Sequence, residues 1–266
     1  MSKNLCVLLL LALVPIFANA CTLTMGYRTS ERVPLIQKAP DNSGLYKDLY
    51  SKASALINCT LRIVRLPKKR ILHAMKDGTI DFYPGFNFSL ERQPYTFYVP
   101  NGLTTGLKVI SLNKSPEVRR IEDMRERSML VPNGSPTYGA AEKGVIVVVV
   151  ENLELSRAIE MLEQERADYY QYQSDTIRYY LKRNPNSKIK IHPCCSAEEP
   201  MYLGFSKLSP HYQRVDNPKY RSDLALTINN EPDKLLPESL PYKLEKSLKY
   251  LDDSGFIDKL EKKYYE

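Results

Sequence analysis

Two stretches of this sequence, RILHAMKDGTIDFY (residues 70–83) and RAIEMLEQERADYY (residues 157–170), follow the same pattern. In each, apolar residues recur at helical spacing, a polar turn follows, and the chain continues into a strand that begins with Asp, an aromatic residue and Tyr. Short β-rich runs alternate with helical stretches along the rest of the chain, which predicts a parallel α/β architecture. One copy of the unit in each half favours two similar α/β lobes, although a single doubly wound domain contains such units as well.

The composition is that of an ordinary globular protein. The 266 residues are 43% hydrophobic and 26% charged, with 18 Pro, 11 Gly and no Trp, which excludes the fibrous, low-complexity and disulfide-dense classes. The length allows one large domain or two smaller ones. The formal net charge is +7, but the densest basic clusters, residues 68–70 and 119–120, are far apart. We therefore expect no nucleic-acid partner.

The N-terminus has the features of a secretory signal peptide. Residues 1–20 contain a cation at Lys3, an apolar run, and an A-x-A site formed by Ala18 and Ala20. The apolar run is too short to span a bilayer, so we expect cleavage after Ala20 and export to the periplasm. Cleavage there leaves Cys21 first, which raises the alternative of a lipoprotein. Because Ala18 stands where a lipobox has a larger aliphatic residue, we expect a free protein.

Export allows disulfide bonds, and four cysteines follow the signal peptide. Cys21 opens the strand-like run CTLTMGYR and Cys59 opens CTLRIVRLP, with a helix-like segment between them. Two such strands, adjacent and parallel, place both cysteines at one end of a sheet, so we predict a Cys21–Cys59 disulfide. Cys194 and Cys195 form either a vicinal disulfide or two thiols. The three histidines lack ligand spacing with cysteines or carboxylates, so we expect no metal and no cofactor.

The C-terminal quarter of the chain divides into two parts. Residues 209–241 are rich in Pro, Asn and charge, and we predict an excursion with short helical pieces. Residues 244–265 carry two apolar stripes at helical spacing, interrupted at Ser254 and Gly255. This pattern predicts two amphipathic helices.

Four stretches carry a family resemblance, and they lie in the family's order along nearly the whole chain. They are GLYKDLYSKAS (44–54), DGTIDFYPGFNFSLERQPYTFYVP (77–100), VPNGSPTYG (131–139) and LKYLDDSGFIDKLEKKYY (248–265). Together they resemble the bacterial extracellular solute-binding proteins of the amino-acid type (family 3), which have the type 2 periplasmic binding protein fold.

The resemblance implies two lobes, each a mostly parallel sheet flanked by helices, joined by two hinge segments. Lobe I would comprise residues 21–107 and 202–266, and lobe II residues 108–201. The ligand would bind in the cleft and be enclosed as the lobes close.

The resemblance also implies the ligand-binding residues. Arg92 corresponds to the family arginine that holds a ligand carboxylate. A guanidinium suits this role because it can donate two parallel hydrogen bonds to the two carboxylate oxygens. Asn87 and the backbone at Gly85 match positions that line the same pocket. From lobe II, Ser135 and Thr137 offer hydroxyls at an expected helix start, where the helix dipole favours an anion.

Two positions depart from the family pattern. Gln173 stands where relatives have the aspartate that meets an α-amino group, which puts a standard zwitterionic amino acid in doubt. Asp175 could replace that aspartate only if the local register shifts. Many relatives also have an aromatic residue near position 33 that stacks on the ligand. Tyr27 could take this role, or it could pack in the core.

Further cations stand near the ends of the predicted lobe I strands. Arg28, Lys69 and Arg70 follow strand-like runs, and a doubly wound sheet binds its ligands at such ends. Cations facing the cleft would suit an anionic ligand such as a carboxylate or dicarboxylate. The alternative is that they are solvated surface charges.

These observations predict a non-catalytic receptor, monomeric, that delivers a small polar ligand to an inner-membrane ABC transporter. A sensory subunit for a membrane kinase uses the same lobe closure, so the sequence does not separate the two roles. A dehydratase on the same fold is a third hypothesis. It requires a general acid in the cleft, and neither His73, in a helix, nor His192, near the end of a lobe II strand, is a convincing candidate.

Overall fold

The computed structural model describes residues 21–266, and the expected signal peptide lies outside the described residues. The described chain forms two five-stranded sheets and one two-stranded ladder. Within residues 21–266, every helix is too short or too polar to cross a membrane.

Strands and helices alternate from β1 to β3 and from β7 to β9. The strands are β1 (Cys21–Arg28), β2 (Cys59–Leu66), β3 (Phe82–Phe86), β4 (Thr96–Thr105), β5 (Leu107–Leu112), β6 (Ser128–Pro132), β7 (Ile146–Val150), β8 (Tyr169–Gln173), β9 (Ile189–Cys195), β10 (Glu199–Ser206), β11 (Arg214–Asp216) and β12 (Asp233–Leu235). The helices are α1 (Leu45–Leu56), α2 (Lys68–Lys76), α3 (Leu155–Glu163), α4 (Ser174–Arg183), α5 (Leu240–Asp253) and α6 (Phe256–Tyr265).

The two large sheets have the same strand pattern. The first has the order β2-β1-β3-β10-β4, with β1 parallel to β2 and β3, and β10 antiparallel to both neighbours. The second has the order β7-β6-β8-β5-β9, with β6 parallel to β7 and β8, and β5 antiparallel to both neighbours. Helices α1, α2, α5 and α6 pack in lobe I, around the first sheet, and α3 and α4 pack in lobe II, around the second. The predicted pair of similar α/β lobes is confirmed.

The repeated sequence unit forms the centre of each lobe. Helix α2 leads into β3 and helix α3 leads into β8, and each of these strands is the middle strand of its sheet. The aspartate before each strand accepts a hydrogen bond from the backbone of the neighbouring parallel strand. Asp81 Oδ2 accepts from the Thr24 backbone N–H at 2.7 Å, and Asp168 Oδ2 accepts from the Ser128 backbone N–H at 2.8 Å. The shared Asp therefore has the same structural role in both lobes.

The predicted Cys21–Cys59 disulfide is confirmed. The two cysteines are directly paired at the start of the parallel strands β1 and β2. Closing the 38-residue separation between them is worth about 4 kcal/mol in the chain-entropy model of disulfide stabilisation. Of the two states left open for Cys194 and Cys195, the structure has the vicinal disulfide, in β9.

The C-terminal region is partly as predicted. Helices α5 and α6 are separated at Ser254 and Gly255, and Gly255 takes a left-handed conformation with φ of 69°. The prediction of helical pieces in residues 209–241 is wrong for residues 209–239, since α5 begins only after its N-cap, Ser239. There the described chain forms turns and the antiparallel pair β11–β12, because its prolines and asparagines favour turns over helix.

We predict that Asp81→Ala lowers the free energy of unfolding by about 3 kcal/mol. The carboxylate of Asp81 is buried, and besides the Thr24 N–H it accepts from the Ser209 hydroxyl at 2.6 Å. Removing it leaves two buried donors without an acceptor, each costing about 1 to 3 kcal/mol. Urea unfolding checks this, with Asp216→Ala, at an exposed position, as control. Equal midpoints for the two variants would contradict the assigned role.

Candidate functional site

A cavity lies between the two lobes. It is bounded by the last residues of four strands, β1, β3, β6 and β8, which are Arg28, Phe86, Pro132 and Gln173. Open α/β sheets bind ligands outside the carboxyl ends of their strands. This cavity is therefore the candidate ligand site.

The cavity is strongly cationic. Among residues 21–266, its lining includes no Asp, Glu or His side chain. It includes four cations, all from lobe I: Arg28, Arg32, Lys68 and Arg92. The charges are therefore not neutralised by acidic neighbours within the cavity.

Arg28 joins the two lobes across the cavity. It is the last residue of β1 and is 3% exposed. Its Nε donates to Ser30 Oγ at 2.7 Å, and its terminal nitrogens donate to the Tyr172 hydroxyl at 2.8 Å and the Leu153 carbonyl at 3.3 Å. All of these acceptors are neutral, so they fix the orientation of the guanidinium and leave its charge unpaired.

Arg32 has the weakest set of partners. It is 4% exposed, and its terminal nitrogens are 3.5 Å from the Tyr46 hydroxyl and 3.6 Å from the Met201 sulfur. Its Nε has no partner in the described chain. A phenol and a thioether at these distances are poor acceptors. This buried guanidinium therefore lacks a strong hydrogen-bond acceptor.

Arg92 is held in the loop between β3 and β4. Its backbone N–H donates to the Ser89 carbonyl in a turn, and its guanidinium lies 4.7 Å from the centre of the Phe86 ring. A terminal nitrogen donates to the carbonyl of Gly134 in lobe II at 3.1 Å. The turn and the aromatic ring thus direct Arg92 into the cavity.

Lys68 is the first residue of α2, and it also reaches lobe II. Its Nζ donates to Ser135 Oγ at 3.0 Å. Burial, followed by the charges of the three cavity guanidiniums, holds the pKa of Lys68 well below its ordinary value of 10.5. The charged form of Lys68 is therefore disfavoured in this site, and an added anion would favour it.

The lobe II wall contributes two amides. Gln171 and Gln173 both line the cavity, and Gln171 Nε2 and Gln173 Oε1 are buried without a partner among the described residues. Asp175 lies outside the cavity, where its carboxylate accepts from Thr105 Oγ1 and the Tyr265 hydroxyl, each at 2.7 Å. The register shift that would bring Asp175 into the site is absent.

Small and neutral side chains complete the lobe I wall. Gly85 and Asn87 both line the cavity. A Cβ at Gly85 would overlap the Tyr46 hydroxyl, so a side chain there would displace the tyrosine that contacts Arg32. Burial raises the pKa of Tyr46 and of Tyr83, which also lines the cavity. Both phenols therefore remain protonated at neutral pH.

Six of the eight residues expected in the site line the cavity: Arg28, Gly85, Asn87, Arg92, Ser135 and Gln173. Tyr27 does not. It is 0% exposed within the lobe I core, with the Arg65 guanidinium over its ring. Side chains alternate along a strand, and Tyr27 shares its face with Leu23 and Met25, while its neighbour Arg28 takes the cavity side.

Thr137 is half-buried and does not line the cavity. The expected α-helix after this loop is also absent. Between β6 and β7 the described chain forms turns and one short 3-10 helix, because Gly139 and Gly144 both take left-handed conformations. No α-helix dipole therefore supports an anion here, and Ser135 acts through its hydroxyl alone.

Two of the cations that line the cavity were not predicted from the sequence, and two predicted cations lie outside it. Lys69 and Arg70 are exposed on α2, whereas their neighbour Lys68 and the more distant Arg32 line the cavity. One feature of the sequence could have indicated Lys68. The first turn of α2 holds basic residues and no acid, which is unusual because cations are unfavourable at a helix N-terminus.

We predict that Lys68→Met raises the thermal midpoint of the ligand-free protein at pH 7 and that the gain narrows by pH 9. The lowered pKa of Lys68 means that the unfolded chain binds more protons below pH 10.5, so the wild type gains stability as pH rises. The variant lacks this titrating group, so its stability does not rise with pH in this way. Calorimetry of both proteins at pH 7 and pH 9 measures the difference between their thermal midpoints.

Lys69→Met is the matched control, because it also removes a cation from the first turn of α2 but at an exposed position. We expect its offset from the wild type to be the same at both pH values. A pH-independent offset for Lys68→Met would contradict the electrostatic account of Lys68.

No family model matches the sequence, and no curated protein matches it. Solved structures do match. An ancestral arginine-binding protein bound to arginine is 19% identical with a TM-score of 0.70, covering 92% of this chain and 98% of that chain. The substrate-binding protein of an amino acid ABC transporter is 18% identical with a TM-score of 0.67, covering 92% and 99%. A histidine kinase sensor domain similar to periplasmic binding proteins is 15% identical with a TM-score of 0.71, covering 92% and 97%.

These likenesses extend over more than nine-tenths of the chain and over nearly all of each matched structure. They show the fold. The chain has the two-lobed type 2 periplasmic binding protein fold of the family 3 amino-acid-binding proteins, as the sequence resemblance implied.

Proposed function

We propose that this chain is a non-catalytic solute receptor that binds a small organic anion, bearing at least one carboxylate, in the cleft between its lobes. The observation that carries the proposal is the cavity with four cations and, among residues 21–266, no acidic side chain. Buried cations without a countercharge are costly, and an anionic ligand supplies that countercharge. The matched structures include a protein bound to an amino acid, which also carries a carboxylate.

Arg92 is the residue that holds this carboxylate. It is 4% exposed, oriented by the Phe86 ring and by the Gly134 carbonyl, and so is positioned before the ligand arrives. A guanidinium matches the two oxygens of a carboxylate with parallel hydrogen bonds. Asn87 and Lys68, on the same wall of the cavity, provide further donors.

An ordinary zwitterionic amino acid is disfavoured as the ligand. An ammonium group needs acceptors and preferably a negative charge, and the lobe II position expected to supply that charge is Gln173. Asp175 is bonded to other groups outside the cavity. The four cavity cations would also repel an ammonium group.

Lobe closure is proposed to enclose the ligand. Arg28, Lys68 and Arg92 each donate from lobe I to a lobe II acceptor: Tyr172, Ser135 and Gly134 respectively. The chain crosses between the sheets at Gly106 and at residues 196–198. We propose these crossings as the hinges, close to the boundaries expected from the sequence.

The proposed setting is the periplasm, where the monomeric receptor would deliver its ligand to an inner-membrane ABC transporter. The likeness to a transporter substrate-binding protein supports this role. The likeness to a histidine kinase sensor domain supports the alternative role of a sensory subunit. Both roles use the same cavity and the same closure.

The dehydratase hypothesis is not favoured by the cavity. His192 is buried in lobe II, where its Nδ1 accepts from the Val118 N–H at 3.0 Å and its Nε2 lies 2.7 Å from Ser111 Oγ. It does not line the cavity. Mass spectrometry of a bound anion after prolonged incubation tests this point. We expect the anion to be recovered unchanged, and its conversion to a dehydrated product would show an enzyme.

We predict that Arg92→Met weakens carboxylate binding at least about 100-fold. Two charge-assisted hydrogen bonds of about 1.5 kcal/mol each account for this loss. A thermal-shift screen of small carboxylates with the wild type identifies a ligand, and titration calorimetry of the variant measures the change.

Arg157→Met is the control, because Arg157 is exposed on α3 and, among residues 21–266, pairs only with Glu160 on the same helix. We expect the affinity of this variant for the carboxylate to match that of the wild type. If Arg92→Met also binds like the wild type, or if no carboxylate binds the wild type, the proposed function fails.

A further inference from the structure

The cavity cations form two groups that donate to different parts of the protein. The first group is Lys68 and Arg92, which meet the loop after β6 through Ser135 and Gly134. In this group Lys68 and Arg92 converge on consecutive residues of one loop. The two side chains can therefore donate to one acidic group.

The second group is Arg28 and Arg32. Arg28 meets β8 through the Tyr172 hydroxyl, and Arg32 points toward the Tyr46 hydroxyl on α1. The two residues lie at and just after the end of β1. Neither donates to the loop after β6 that receives the first group.

The second group combines a guanidinium that the protein holds in place with one whose donors are not all satisfied. Arg28 has three acceptors within 3.3 Å, so its orientation is fixed by the protein. Arg32 is more than nine-tenths buried, its Nε has no partner within the described chain, and its other contacts are long. Across the cavity, Gln171 Nε2 is a second buried donor without an acceptor.

The charge of the cavity also exceeds what one carboxylate can balance. A ligand with a single carboxylate at Arg92 would leave Arg28 and Arg32 with no acidic group inside the cavity, where their hydrogen-bond partners in the described chain are all neutral. Removing or omitting one member of a buried ion pair is strongly destabilising. A second negative group at Arg32 satisfies both the charge and the unpaired donors.

Resting on the proposed function, we infer that the solute is a small dicarboxylate without an amino group. One carboxylate is held by Arg92 and Lys68, and the other by Arg32, beside Arg28. The carbon chain between them passes Gln171 and Gln173, whose amides can bond to polar substituents. A single tetrahedral anion such as phosphate would occupy one group and leave the other unpaired.

Matched probe ligands test this inference on the wild-type protein. Glutarate and pentanoate have the same chain length and differ by one carboxylate, while glutarate and L-glutamate differ by the amino group. In titration calorimetry we expect glutarate to bind at least about 100-fold more tightly than pentanoate, and more tightly than L-glutamate. This comparison needs no variant, so it does not depend on the folding of a mutant.

The variant Arg32→Met locates the second carboxylate. We expect it to weaken glutarate binding at least about tenfold and to leave pentanoate binding within about threefold of the wild type. Arg157→Met serves again as the control and should change neither affinity. Equal weakening of both ligands by Arg32→Met would contradict the assignment of Arg32 to the second carboxylate.

The outcomes separate this inference from the proposed function. If pentanoate binds as tightly as glutarate and Arg92→Met weakens both, the proposed function stands and the dicarboxylate inference is overturned. Tighter binding of L-glutamate, or binding of inorganic phosphate but not of glutarate, also overturns it. If none of the carboxylates binds, both fail.

Discussion

Mutual repulsion among four cations at the carboxyl ends of parallel strands is the constraint on which this site depends. The lining, as far as the described chain supplies it, contains no acidic residue to relieve it. The pKa of Lys68 is lowered first by burial and then by the charges of the neighbouring guanidiniums, so repulsion is one of the two effects that oppose its charge. A folded chain that keeps such a group buried is less stable than one without it. The arrangement is explicable when a ligand supplies the opposing charge.

Strong constraints on the scaffold around the cavity stabilise the fold and so offset the lower stability that the buried cations cause. Asp81 and Asp168 bond the middle strand of each sheet to its parallel neighbour. The Cys21–Cys59 disulfide joins β1 to β2 at the end opposite to Arg28. Strand β1 thus carries a covalent link at its start and a cavity cation at its end. The position of Arg28 follows from a rigid sheet, and rigid sites lose little order on binding.

Much of the fold was predictable because its signals are local. The helix–turn–strand unit and the Cys-led strands could be identified from short stretches, and Arg92 from the segment around it. The failures concern side-chain direction. Tyr27 and Arg28 are adjacent on a strand, so only one of them could face the cavity. Lys68, rather than Lys69 or Arg70, faces it because of how α2 docks on β1, which depends on contacts distant in sequence. Arg32 lies in a segment without periodic pattern, and such a segment gives no indication of orientation.

The division of charge between the lobes links binding to closure. The four cavity cations belong to lobe I, and three of them donate to lobe II groups, which are a phenol, a serine hydroxyl and two backbone carbonyls. These neutral acceptors bring the lobes together without neutralising the cations. An anion bound to lobe I reduces the repulsion that opposes burial of these groups, so it favours the closed arrangement by its differential affinity for it. Under the proposed function, the same charges would make closure of the lobes respond to an anionic ligand.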